Sequence, residues 1–131
     1  MRQLRLRQNR QETQLQVANL LMAAEILPQL VALKLKDKPK GFMLVDIRPA
    51  DERKNAHISG DVHIPAEKFS VDAGKYKDND VVLYCHHGVR SALLADALEV
   101  RGINVKSMAG GIDAWSDKVD PKVKKYGHEH N

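Results

Sequence analysis

The sequence contains a single cysteine, Cys85, among its 131 residues. One cysteine excludes an internal disulfide framework and any zinc or iron–sulfur cluster built on the cysteines of one chain. No stretch reaches the roughly 18 uninterrupted apolar residues of a membrane-spanning helix. With 43% hydrophobic and 29% charged residues, the composition is that of one soluble globular domain with a single core. Any chemistry of Cys85 is therefore that of a solitary thiol.

The N-terminal segment has no acidic residue before Glu12 and no serine before Ser59. Its first ten residues carry four arginines, and the basic and acidic residues of the remaining chain balance. The net charge of +4 therefore belongs to an N-terminal arm, which gives no support to a nucleic-acid-binding face across the domain. The arginines would fit a mitochondrial transit peptide, but the lack of serine disfavours it. We favour a basic arm followed by a solvated extra helix over residues 11–24, so that the arm and helix together span residues 1–24.

Continuous apolar runs predict buried strands at Phe42–Val45 and Val81–Tyr84. A helix is predicted from Pro28 to Lys36 and another from about Ser91 to Arg101, ended by Gly102 in the left-handed conformation. Shorter segments are predicted as strands at 25–27, 62–64 and 103–108, a helix at 50–55, and a helix or loop at 67–73. This alternation of strands and helices predicts a parallel α/β sheet.

The sequence CHHGVR, Cys85 to Arg90, follows the second buried strand and precedes a helix, where open α/β sheets bind ligands. Backbone amides in such a loop can form an anion nest, and the helix N-terminus adds partial positive charge. These surroundings would stabilise a thiolate. Gly88 permits a tight turn, and Arg90 would hold a substrate anion or brace loop carbonyls. The two histidines would tune the local charge rather than act as acid or base.

Four segments in this order resemble single-domain rhodanese-like sulfurtransferases: LVDIRPADE (Leu44–Glu52), HISGDVHIP (His57–Pro65), CHHGVRS (Cys85–Ser91) and GGIDAW (Gly110–Trp115). The resemblance spans about residues 25–120 and leaves the arm and a flexible tail, residues 121–131, outside it. It implies a three-layer α/β fold with a central, mostly parallel sheet flanked by helices, to which the N-terminal helix is an addition. It implies no metal or organic cofactor, and two histidines in the tail do not make a designed metal site.

The resemblance also implies roles for individual residues. Cys85 would attack a sulfane sulfur and become a persulfide, which a second nucleophile then cleaves. The substrate-binding residues, whose amides would stabilise charge on the terminal sulfur, are His86, His87, Gly88, Val89 and Arg90. Supporting positions are Asp46, Arg48 and Ser91, and we interpret Asp46 and Arg48 as a structural ion pair rather than a substrate contact. Asp61 stands where many members have alanine.

Two other functions compete with this interpretation. Cysteine phosphatases and arsenate reductases also use a thiolate in an anion-binding loop, but they place five residues between cysteine and arginine. Cys85 and Arg90 enclose four, which predicts a smaller ring suited to one sulfur atom. The second alternative is a non-catalytic rhodanese-like module for protein interaction or sulfur relay.

The expected partners are small sulfur donors and acceptors, among them thiosulfate and glutathione persulfide, or a protein that carries a persulfide. No nucleic acid and no membrane is expected, and a chain of this size is predicted to be a monomer. An exposed reactive thiol at Cys85 is predicted, and such a thiol favours a reducing compartment, here the cytoplasm.

Overall fold

The computed structural model describes residues 25–127, so the predicted helix at 11–24 lies outside the described residues. Within these residues, five strands form one sheet: β1 (Glu25–Ile26), β2 (Phe42–Asp46), β3 (Val62–His63), β4 (Asp80–Tyr84) and β5 (Lys106–Met108). The described part of the chain also contains five α-helices that surround the sheet: α1 (Pro28–Asp37), α2 (Ala50–Arg53), α3 (Ala66–Asp72), α4 (Val89–Val100) and α5 (Gly111–Lys118). A 3₁₀-helix, Ala73–Tyr76, follows α3. Within residues 25–127, no helix has the length and apolar character needed to cross a membrane.

The sheet is parallel throughout, with the strand order β1-β5-β4-β2-β3. The two long strands lie side by side, and Asp46 at the end of β2 is paired with Tyr84 at the end of β4. All strands therefore direct their carboxyl ends to one edge, which brings the segments that follow β2 and β4 together. The predicted parallel α/β fold is confirmed.

Two hydrophobic clusters cover the two faces of the sheet. Val45 and Leu83 belong to one cluster, whereas their chain neighbours Leu44 and Val82 belong to the other. Successive side chains of a strand point to opposite faces, so a strand covered on both sides is apolar at every position. The continuous apolar runs of the sequence thus reflect a sheet between two layers of helices.

The strand predicted at 103–108 is shorter in the structure, where β5 contains residues 106–108. Ile103 and Val105 are buried, but the Ile103 amide donates to the Leu98 carbonyl at 2.9 Å and so closes the end of α4. Gly102 is left-handed with φ 78°, as predicted. The apolar residues at these positions are therefore buried, as the pattern indicates. The Ile103 amide, however, bonds to the end of α4 and is not available to pair with a neighbouring strand.

The packed structure extends past residue 120, where the sequence analysis placed the start of a flexible tail. Tyr126 is 8% exposed and belongs to the same cluster as Trp115. The Ser116 hydroxyl donates to the Val123 carbonyl at 2.8 Å, which holds the segment against α5. A single aromatic residue among lysines gave no periodic signal for this docking.

Candidate active site

Cys85 lies between the end of β4 and the start of α4, at the carboxyl edge of the sheet. Its Sγ accepts hydrogen bonds from the amides of Gly88, at 3.2 Å, and Ser91, at 3.4 Å. The Ser91 Oγ lies 3.4 Å from the same sulfur. Amides at the N-terminus of a 12-residue helix are donors that stabilise negative charge. The Cys85 sulfur is therefore held by two backbone donors at the start of this helix.

Ser91 is fixed by the N-cap residue of its own helix and by a residue of β5. Its Oγ donates to the Gly88 carbonyl at 3.3 Å and shares a hydrogen bond with the Ser107 hydroxyl on β5 at 2.7 Å. Ser107 is fully buried. Sequence reasoning did not find Ser107, because no pattern links β5 to the cysteine loop.

The prediction of an exposed thiol is wrong, since Cys85 is 1% exposed. Its side chain belongs to the core cluster that contains Ile47, Leu83 and Ala95. The physical reason is that the loop turns Sγ inward, toward the amides of Gly88 and Ser91. A reagent must therefore reach the sulfur through a narrow opening or a movement of the loop.

Two glycines let the loop and α5 approach each other closely. A Cβ on Gly111 would lie 2.3 Å from the His86 carbonyl oxygen and 2.6 Å from that of Cys85. A Cβ on Gly88 would lie 2.8 Å from the Gly110 amide nitrogen. The contact is bonded too, since the Ile112 amide donates to the Cys85 carbonyl at 2.9 Å. The GGIDAW segment thus fastens the start of α5 onto the cysteine loop.

The two loop histidines meet Asp113 in the first turn of α5. His86 Nε2 lies 3.1 Å from Asp113 Oδ1, and His87 Nε2 lies 3.1 Å from Oδ2. The His86 ring stacks between those of His87 and Tyr126, with centroid distances of 3.8 and 3.9 Å. Burial lowers the pKa of His86, and the Asp113 carboxylate opposes that fall. We call these three titratable side chains, His86, His87 and Asp113, the histidine–aspartate cluster.

Arg90 is held by an acidic residue from another part of the chain. Its guanidinium makes two hydrogen bonds to the Glu52 carboxylate, at 2.7 and 2.8 Å. The Tyr126 hydroxyl donates to the same carboxylate at 2.9 Å. Hydrogen bonds from Arg90 lower the pKa of Glu52 despite its partial burial. Val89, the neighbouring predicted substrate residue, is 64% exposed at the start of α4.

Asp46 and Arg48 form an ion pair that is fully buried below the loop. Arg48 Nε and Nη2 donate to the two Asp46 oxygens, each at 2.9 Å. Nη1 donates to the Tyr126 hydroxyl at 2.8 Å, and Nη2 also donates to the Ala56 carbonyl at 2.6 Å. Burial alone would lower the pKa of Arg48, but the hydrogen bonds that it donates to Asp46 and Tyr126 raise it. The guanidinium stays charged with its donors directed at protein acceptors.

Asp61, the residue that departs from the family pattern, belongs to the same network. Arg53 makes a bidentate pair with Asp61, at 2.8 and 2.9 Å, and also donates to Asp46 at 3.0 Å. The Tyr84 hydroxyl donates to Asp61 and accepts the Ile58 amide at 3.1 Å. We call the four charged residues of this site the buried ion network: Asp46, Arg48, Arg53 and Asp61.

A pocket of about 410 Å³ opens beside the loop, a volume within the usual range of small-molecule sites. Its wall includes Ile47, which follows β2 and packs in the same cluster as Cys85. The remaining lining residues are Pro49, Pro65, Ala66, Glu67 and Arg90. The pocket thus combines an apolar surface with Arg90, the last residue of the cysteine loop.

The Cys85 sulfur accepts hydrogen bonds from loop amides, and the loop lies between a parallel strand and a helix N-terminus. This arrangement defines a class of α/β domains with a cysteine loop at the carboxyl end of the sheet. The sequence model of the rhodanese-like domain matches residues 28–118. The chain therefore belongs to the rhodanese-like domain family.

Individual relatives agree with this assignment. The thiosulfate sulfurtransferase GlpE of Coxiella burnetii is 30% identical over 80 residues, which are 60% of this chain and 75% of GlpE. The adenylyltransferase and sulfurtransferase UBA4 of Candida albicans is 31% identical over 98 residues, which are 66% of this chain and 22% of UBA4. The chain thus corresponds to a minor part of UBA4. The crystal structure of a rhodanese-like domain protein from Staphylococcus aureus is similar with a TM-score of 0.62 and 26% identity, over 79% of this chain and 98% of that one.

Proposed function

We propose that this chain is a sulfurtransferase that carries a sulfane sulfur as a persulfide on Cys85. The observation that carries the proposal is the pair of amides, from Gly88 and Ser91, that donate to Sγ. They stabilise a thiolate before the reaction and the same thiolate when it leaves again. Membership of the rhodanese-like family and the similarity to GlpE support the same chemistry.

The reaction has two steps. The Cys85 thiolate attacks the outer sulfur of thiosulfate, the sulfur–sulfur bond breaks, and sulfite leaves with the electron pair. A nucleophile such as cyanide or a thiolate then attacks the outer sulfur of the persulfide, and Cys85 leaves as a thiolate. Cyanide would give thiocyanate. No electrons are gained or lost overall, so the cycle requires no external oxidant or reductant.

The outer sulfur would be held by the loop amides of residues 86–90. Arg90 contributes less charge than its position suggests, because Glu52 neutralises it at 2.7 Å. The donor would approach through the pocket lined by Ile47, Pro65 and Arg90. Since Cys85 is 1% exposed, slim donors with a terminal sulfur should react faster than bulky alkylating reagents.

Intact-mass measurement after exposure to thiosulfate tests the proposal. We expect a gain of one sulfur atom, with release of one sulfite per chain, and a return to the original mass on addition of cyanide. Cys85→Ser is the matched control and should show neither product. A panel of persulfide donors and thiol acceptors would then identify the preferred pair.

The second candidate is a protein-interaction or relay module without turnover. The similarity to the putative sulfur carrier protein YrkF of Bacillus subtilis, 32% identical over 94 residues, favours this second candidate. If no donor adds sulfur to Cys85 in a folded chain, this second function replaces the first. We further expect a monomer that lies in the cytoplasm, where a single thiol stays reduced.

A further inference from the structure

The histidine–aspartate cluster places three metal-ligating groups together beside the cysteine loop. One ligand atom from each of His86, His87 and Asp113 can be chosen so that all lie within 4.8 Å of one another. The carboxylate faces both imidazoles, with each Nε2 at 3.1 Å from one of its oxygens. Two residues come from the loop after β4 and one from α5, so the fold rather than a local motif creates the cluster.

The backbone under the cluster is held in place. The Asp113 amide donates to the His86 carbonyl at 3.2 Å, and the Ile112 amide donates to the Cys85 carbonyl. The close approach depends on Gly111, which has no Cβ to meet the His86 carbonyl. Tyr126 supports the His86 ring from the far side by stacking. Ligands with fixed backbones lose little conformational entropy when they bind an ion.

Burial and chemistry indicate the kind of ion. The side chains of His86 and Asp113 are each 12% exposed, whereas that of His87 is 57% exposed, so the cluster opens to solvent on one side. Two imidazole nitrogens and one carboxylate oxygen form a ligand set typical of zinc, and calcium and magnesium prefer oxygen ligands. Three protein ligands leave a coordination position for water.

We propose that His86, His87 and Asp113 bind one zinc ion next to the cysteine loop. The sequence analysis expected no metal. This site uses the side chains of His86 and His87, whereas the sulfur-transfer proposal uses their backbone amides. Zinc bonds to nitrogen and oxygen are about 2.0–2.2 Å long. Because a metal ion lies in the plane of each imidazole that binds it, the exposed His87 ring must turn away from its stack on His86 to share the ion. Cys85 is not a ligand, since its Sγ is directed at Gly88 and Ser91.

Calorimetric titration of the full chain with zinc tests the site. We expect one ion per chain. Loss of an outer-sphere contact costs about 10–100-fold in metal affinity, so removal of a ligand in Asp113→Asn should weaken binding at least about tenfold. His87→Ala changes an exposed side chain, and it tests the same prediction if Asp113→Asn does not fold. Unchanged affinity in a folded variant of either kind would overturn the proposal.

Two controls separate this site from other zinc ligands in the chain. Cys85→Ser should bind zinc as the unchanged chain does, and cobalt bound to the unchanged chain should show no thiolate charge-transfer band. A double variant, His128→Ala with His130→Ala, should also keep the site. Loss of binding in Cys85→Ser would assign the ion to the thiol, and loss in the double variant would assign it to the tail histidines. Either result would overturn the proposal, and neither depends on sulfur transfer.

Discussion

Two ion pairs flank the cysteine loop, and they differ in their access to water. Asp46 and Arg48 are both fully buried, and hydrogen bonds from Arg48 reach both oxygens of the carboxylate. Glu52 and Arg90 make an equally short bidentate pair, but Arg90 is 45% exposed. Tyr126 contacts both pairs, since its hydroxyl accepts from Arg48 and donates to Glu52. Similar geometry therefore occurs in two different dielectric surroundings.

The difference in exposure separates the roles of the two arginines. Arg48 supports the folded core, whereas Arg90 lies at the surface of the site. Removal of one partner from a buried pair leaves a desolvated charge, which is far costlier than loss of a pair that water can replace. The buried ion network therefore supports the fold below Cys85. Arg90 of the Glu52–Arg90 pair lines the pocket, and we expect the chain to stay folded when this partly exposed pair is lost.

Arg48→Leu is the variant with the largest expected effect. It leaves the Asp46 carboxylate buried without Arg48, so we expect a loss of about 3–5 kcal/mol in the free energy of unfolding. Arg90→Leu is the matched control and should cost less than about 1 kcal/mol. Urea denaturation of both variants measures the difference. Equal losses would contradict the contrast between a buried and an exposed pair.

Gly111→Ala should have the next largest effect. The new Cβ would lie 2.3 Å from a backbone oxygen, where no rotamer can relieve the clash, and φ is 64°. Overpacking and the left-handed backbone together predict a loss of about 2–4 kcal/mol in the free energy of unfolding. Thermal denaturation measures it.

Gly74→Ala is the control, because a Cβ there meets nothing within 4 Å. If Gly111→Ala were as stable as this control, the close contact between α5 and the cysteine loop would not exist in solution.

The sequence predicted the framework of the fold well, for local physical reasons. Apolar runs marked β2 and β4, because both faces of these strands are covered, and Gly102 marked the end of α4. The position of Cys85 between a strand and a helix followed from the same local patterns. The start of β5 was predicted wrongly, since burial of Ile103 and Val105 does not require strand pairing.

The partners of the loop residues could not be predicted in this way. Glu52 is 38 positions from Arg90, and Tyr126 is 78 positions from Arg48. Such contacts depend on how the strands are ordered and where the chain returns after α5, and no periodicity records them. Asp113 lay within a recognised motif, but its direction toward two histidines required the helix to be positioned first.

Tyr126→Phe tests whether this residue joins the two ion pairs. The variant keeps the stacked ring but removes the acceptor of Arg48 and the donor to Glu52, so we expect a loss of about 1–2 kcal/mol in the free energy of unfolding. Urea denaturation measures it. Tyr76→Phe is the control, since Tyr76 lies elsewhere and stacks on Phe69. A loss no greater than in the control would mean that the Tyr126 hydroxyl does not join the two ion pairs.

Glu52→Gln has the smallest expected effect, and its pH dependence identifies its cause. Arg90 lowers the pKa of Glu52 in the folded chain, so the charged carboxylate stabilises the fold above its unfolded pKa of about 4.3. That contribution is lost as the pH falls through the lower folded value. Denaturation at pH 7 and at pH 3 should show a cost below about 1 kcal/mol at pH 7 that shrinks in acid. Glu99→Gln on an exposed surface is the control. A cost that stays the same at both pH values would mean that Glu52 acts through packing rather than charge.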